Sequence, residues 1–309
     1  MKTTTSSATA SRRSSTALHD LLRTIEEWYG LPHAGAAAGV TPIAGIFTSD
    51  RRSTSVTFRN GVAGYTGTHT TYIEQPALNA AHATATQIVT DGSPLSHGLI
   101  RFDAIFGEGP GQVPARAQIL SAKLVLLTGS TSGDNSGTSV SVHRMLVGFT
   151  DSSTWNTLAG GINLGSDAAA TPDFTALANT VDTWTIFDVT QTVTSWVATP
   201  STNRGWAVMP GGTDGWRWAS VAAPVNNRPM LEVTYTLPPC GPVDLVGPGG
   251  DAGHDGVLTV DDLVAFLAAF FSASPDADVT SPGGGASPDG QVTVDDLVTA
   301  LQLFFAGCP

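Results

Sequence analysis

Two Asp-Gly steps and two later aspartates carry the chemistry that this sequence offers. Asp255-Gly256 and Asp289-Gly290 each set a carboxylate beside a residue that accepts a sharp turn. Seven positions after each Asp-Gly aspartate, Asp262 and Asp296 stand at the start of apolar runs with helical spacing. Hard oxygen donors about a glycine turn, with the last one on the first turn of a helix, are what a calcium loop requires. If Asp255 and Asp289 are fifth ligands, then Thr259 and Thr293 fall at the ninth position and Asp262 and Asp296 at the closing twelfth. Val257 and Gln291 fall at the seventh, where a backbone carbonyl serves. Two Ca2+ sites are therefore expected, while Mg2+ would ask for a tighter octahedral cage.

The front of each loop departs from the usual spacing. Counting four back from Asp289 reaches Gly285, which has no side chain. Asp244 and Asp278 correspond to each other, with seven extra residues before each Asp-Gly, and are the expected first ligands. Asp251 is an alternative in the first loop. A competing reading is that these acids, Asp261 and Asp295 among them, only cap helices and bind no metal, since carboxylates suit a helix N-terminus.

The elements that position these groups are written twice. Residues 244–271 (DLVGPGGDAGHDGVLTVDDLVAFLAAFF) align with 278–305 (DVTSPGGGASPDGQVTVDDLVTALQLFF) without a gap, at an offset of 34 and with 16 of 28 positions identical. This is a tandem repeat. After each loop, Leu263, Phe266, Leu267 and Phe270, and then Leu297, Leu301 and Phe304, recur at helical spacing. Cys240 and Cys308, the two cysteines of the chain, bracket the pair. They suggest a disulfide and an oxidising compartment, against the alternative of two free thiols. The bridge would contribute about 4 kcal/mol in the chain-entropy account. No zinc-type cysteine or histidine spacing is present.

The loops DGVLTVDDLVAFLAAFF and DGQVTVDDLVTALQLFF, with the flanking Cys240 and the Phe305-Ala-Gly-Cys308 ending, resemble GC-type dockerin domains of secreted planctomycete-like bacterial proteins. The resemblance implies a small non-catalytic anchoring module of two calcium loop-helix units. It also implies a partner, a cohesin-like or other cell-surface protein, docked through Val260, Asp261, Val294 and Asp295. These are not the Ser-Thr pairs of the best-known cohesin binders.

The 309 residues leave room for more than one domain, and only 13% are charged. The composition, rich in Gly, Ser, Thr and Ala, suits an extracellular or cell-surface β-rich protein. A formal net charge of −12, partly in the acidic loops, argues against nucleic acid and anionic membranes as partners. No apolar run is long enough for a transmembrane helix. Residues 1–52 open with a polar low-complexity stretch, followed by Leu18, Leu21, Leu22, Ile25 and Trp28, which predict a helix near 16–29. No segment of secretory-signal type is apparent.

From residue 53 to 237 the pattern changes to short β-type runs separated by Gly, Asn, Asp and Pro. Strands are expected at 55–58, 70–73, 86–89, 98–103, 119–128, 138–146, 184–190, 205–210 and 229–237, with one helix placing Val193, Trp196 and Val197 on one face. The expected class is mainly β: a jelly-roll β-sandwich, a short N-terminal helix and a small all-α calcium loop-helix domain at 240–309. Pro238-Pro239 is the expected hinge. The blocks FRNGVAGYTGTHTTYIEQ, LIRFDAIFG, STWNTL, FDVTQTVTSWV and NNRPMLEVTYT are similar in order to DNRLRE-type domains. That resemblance implies a jelly roll related to carbohydrate-binding modules. Thr70 and Ala80-Ala81 depart from its usual Asp and aromatic-Gly.

No catalytic pattern emerges. The acids of the middle segment sit mostly in turns, His69, His82, His97 and His143 lack ligand spacing, and GxSxG and HExxH are absent. A non-enzyme is expected. For polysaccharide binding the candidate is DGWRW: strict alternation puts Trp216 and Trp218 on one side and Arg217 on the other. If that side faces solvent, the pair forms a sugar-stacking platform; if it faces inward, the pair is core. Trp155, Trp184, Trp196 and Trp206 are expected to pack, and Arg101 and Arg228 to make structural contacts. The chain is thus expected to be a binding and anchoring protein; the alternative is a structural matrix component without a soluble ligand.

Overall fold

A computed structural model describes residues 53–285 and 287–308, together with Arg23, Gly35, Gly39 and Val40. The expected helix near 16–29 and the low-complexity start lie outside the described residues, Arg23 excepted.

The middle segment is mainly β, with two sheets facing each other across a shared core. Strands β1 (Thr54–Arg59), β5 (Gln118–Leu127), β8 (Trp184–Asp188) and β11 (Met230–Thr236) form one sheet, in the order β1-β11-β5-β8. The second holds β2 (Thr68–Glu74), β3 (Gln87–Gly92), β4 (Leu95–Phe102), β6 (Ser139–Arg144), β7 (Phe174–Leu177), β9 (Trp206–Pro210) and β10 (Trp216–Ala219). Its order is β10-β3-β4-β9-β6-β7, and β2 also pairs with β4. Inward-facing Phe58, Ile100, Phe102, Leu124, Leu126, Val142, Phe187 and Leu231 fill the space between the sheets. Helix α1 (Thr190–Ala198) closes one side, burying Val193, Trp196 and Val197 as their spacing predicts. All nine expected strands are present within a few residues of their expected ends.

The larger sheet is apolar on its outer face too. Ile73, Leu99, Met145, Ala207 and Met209 pack there under Phe149, Trp155 and Ile162, which come from the connection between β6 and β7. His97, only 4% exposed, joins this second core: its Nδ1 accepts the Ile162 N–H at 3.0 Å, and its ring lies 5.4 Å from that of Trp155. Burial holds His97 down at a pKa of about 4, so the ring is neutral near pH 7.

The C-terminal repeats form the loop-helix pairs that their periodicity predicts. Helices α2 (Val260–Phe271) and α3 (Val294–Ala306) pack over Val243, Phe266, Ala277, Val279 and Ala300. The Cys240–Cys308 disulfide joins the ends of this segment. The described residues from 53 to 308 belong to one compact unit, with contacts made across the expected hinge at Pro238-Pro239. The Arg116 guanidinium of the sandwich lies 3.1 Å from the Cys240 sulfur and donates to the Gly256 carbonyl. Gly256, at φ +78°, lies so close to Leu237 and Pro238 that a Cβ would not fit. No helix among the described residues is long and apolar enough to cross a membrane.

Candidate functional site

The repeat positions singled out by sequence come together in two matching networks of hydrogen bonds. In the first, Asp262 is 0% exposed and stands on the first turn of α2. Its Oδ1 accepts the N–H groups of Leu245 (2.9 Å) and Val246 (3.0 Å). Its Oδ2 accepts the Thr259 N–H (2.8 Å) and hydroxyl (3.1 Å). Asp244, equally buried, accepts the N–H groups of Cys240 (2.8 Å), Asp255 (3.2 Å) and Gly256 (3.0 Å). Its own carbonyl bonds to His254.

The second network repeats the first 34 residues later. Asp296 is 0% exposed and accepts Val279 N–H (2.9 Å), Thr280 N–H (2.9 Å), Thr293 N–H (2.7 Å) and the Thr293 hydroxyl (3.1 Å). Asp278 accepts the N–H groups of Asp289 (3.1 Å) and Gly290 (2.6 Å). Burial alone would raise the Asp296 pKa, but these donors outweigh it and hold the carboxyl below the ordinary aspartate range.

The remaining candidates are equally ordered. The carboxylates of Asp255 and Asp289 accept the N–H groups of Val257 and Gln291, each at 2.9 Å, folding each Asp-Gly into a tight turn. Asp251, the alternative first ligand, is exposed and lies in the short strand β13 (Asp251–Ala252), paired with β12 (Val246–Gly247). Ser281 and Gly285 form the same bridge in the second copy. The seven-residue enlargement is thus part of a miniature hairpin in both copies. Its turn is made by Gly249 and Gly250 in one copy and Gly283 and Gly284 in the other, all at φ of +77° to +83°. Asp261 and Asp295 tie that hairpin down, accepting the N–H groups of Gly249 (2.8 Å) and Gly283 (2.9 Å). The docking candidates therefore divide: Val260 and Val294 stand in solvent, while both acids serve the fold.

The sugar platform is corrected. Trp216 and Trp218 are each 0% exposed, with Arg217 on the opposite side as alternation requires. Their Nε1 groups donate to Thr128 (3.0 Å) and Thr90 (3.2 Å) inside the sandwich, so the inward reading holds. Arg217 lies 3.9 Å from Asp134 and bonds the Gly133 carbonyl.

Sequence spacing missed one cluster that strand register creates. β2 places His69 opposite Arg101 of β4. His69 Nδ1 lies 3.0 Å from Asp151, and its Nε2 lies 3.4 Å from Asp103. Arg101 grips Asp103 with two bonds (2.6 and 3.0 Å) and donates to the Phe149 carbonyl at 2.7 Å. Its chemistry is that of a latch: it fastens the loop around residues 149–151 to the sheet. Arg228 is likewise structural, bonding the carbonyls of Ala223 and Asn60.

Among the described residues no group of three or more His, Cys, Asp or Glu side chains converges to hold a metal ion. A scan against protein-family models and a search of curated proteins each find no match to this chain.

Proposed function

We propose that this chain is a non-catalytic, extracellular or cell-surface binding and anchoring protein. The β-sandwich is the displayed module and the C-terminal helix pair is the attachment. The observation that carries this reading is a duplicated apolar surface. Val260 (68% exposed), Val264 (60%) and Phe271 (81%) stand out on α2; Val294 (67%), Val298 (47%) and Phe305 (80%) occupy the equivalent positions on α3. Scattered exposed apolar groups are ordinary, but the same three positions left open on both helices make a face suited to a partner's groove. Resemblance to GC-type dockerins supports a protein partner, cohesin-like or another cell-surface protein. The disulfide supports an oxidising compartment. The five DNRLRE-type blocks support a jelly-roll reading of the sandwich. A non-catalytic role is supported by the engagement of its acids: Asp103 with Arg101, Asp173 with the Trp206 indole at 2.8 Å, and Asp214 with the Gly137 N–H at 2.6 Å.

The test uses the oxidised full chain and a Val264→Asp plus Val298→Asp variant, each presented to a purified cohesin domain and to washed bacterial envelopes. The reading holds if the native chain is retained by either and the variant, with an unchanged circular dichroism spectrum, is not. Equal retention of both proteins, or of neither, contradicts it; retention by neither would leave the structural matrix role.

A further inference from the structure

We infer that the two acidic loops are closed by carboxylate–amide clamps in place of bound calcium, so that the C-terminal segment folds without a metal. An aspartate carboxylate offers about four lone-pair sites. On Asp262 and on Asp296 all four are taken, three by backbone N–H groups and one by a threonine hydroxyl. A closing calcium ligand must turn its oxygens to an ion about 2.3–2.6 Å away. Here the same oxygens face the positive ends of N–H dipoles, which repel a cation. The front of the loop is engaged less fully: Asp244 receives three N–H donors and Asp278 two.

The seven extra residues are what make this closure work. A twelve-residue loop wraps its ligands about an ion. These longer loops fold their fronts into miniature hairpins, Gly247 with Asp251 and Ser281 with Gly285, and present two successive amides to the closing carboxylate. Asp261 and Asp295 then fasten each hairpin to its helix. Every one of these features occurs in both copies. Two loops with different sequences at their tips, GPGGDAGHD and SPGGGASPD, present the same pair of amides to their closing carboxylates. The inference concerns folding alone and does not depend on what the helices dock to.

Calcium chloride titrated calorimetrically into the chelator-treated, oxidised full chain is the test, with melting curves recorded in chelator and in millimolar calcium. The expected result is no saturable heat and the same melting temperature in both. Asp262→Asn and Asp296→Asn, which trade acceptor sites for a donor, should lower the melting temperature equally in chelator and in calcium. Two stoichiometric sites, with a melting temperature that rises by several degrees in calcium only when Asp262 and Asp296 are intact, would overturn the inference.

Discussion

Asp262 Oδ1 accepts the N–H of Val246 at 3.0 Å, reaching from the first turn of a helix to a residue sixteen positions earlier. Asp296 does the same to Thr280 at 2.9 Å. Each contact joins the two ends of an enlarged loop, and each carboxylate is buried among donors that bear no formal charge. Hydrogen bonds to an ionised group are stronger than neutral ones, and removing the acceptor leaves buried N–H groups unsatisfied. Asp262→Ala or Asp296→Ala in the full chain should therefore cost about 2–4 kcal/mol. Denaturant unfolding followed by far-ultraviolet circular dichroism measures this; a loss below a few tenths would show that the clamps are idle.

Reduction provides a second check. The disulfide spans a sequence separation of 68 and closes the segment that holds both helices. Cys308→Ser should destabilise that segment by about 4 kcal/mol. No tryptophan follows Trp218, so tryptophan fluorescence reports on the rest of the chain. The fluorescence transition should stay close to that of the native chain, while protease cutting between residues 244 and 305 accelerates.

His97 sets a pH dependence of the sandwich. Its folded pKa of about 4 lies below the ordinary value of 6.5, so the unfolded chain binds the extra proton in between. Stability from this group is complete above pH 6.5 and is lost as pH falls toward 4, to a total of about 3 kcal/mol. His97→Gln should flatten that part of the profile, measured by denaturant midpoints from pH 7 to pH 4. An unchanged slope would show that other groups set it.

The buried tryptophans give a fourth. Trp216→Ala and Trp218→Ala should each destabilise the sandwich by about 3–5 kcal/mol through the cavity left. Melting followed by fluorescence measures this. A small loss at either position would contradict its place in the core.

Much of the sandwich is legible in the sequence because its strands alternate against one deep core. Val140 and Val142 face in and Ser141 faces away, as their order implies. Strand β7 escaped notice because it is an edge with little burial: Phe174 and Leu177 are 40% and 59% exposed. The second core was hidden as well, since Trp155 and Ile162 come from a connection with no periodicity. Alternation showed that Trp216 and Trp218 share a face, but only the pairing of β10 with β3 decides that the face is inward. In the repeats, the types and spacing of the acids were plain. Their hydrogen-bond partners were not, because the amides that Asp262 and Asp296 accept across the loop lie 16 or 17 residues earlier in the chain. The seven-residue enlargement was the available signal of the miniature hairpins: the added Gly- and Pro-rich residues give each loop room to fold on itself.

The most direct test of the clamps is amide hydrogen exchange at Leu245, Val246, Thr259, Val279, Thr280 and Thr293 in the oxidised full chain, with chelator and then with calcium. Donors held by Asp262 and Asp296 should exchange slowly and at the same rates in both conditions. Fast exchange in chelator, with protection appearing only when calcium is added, would contradict the account.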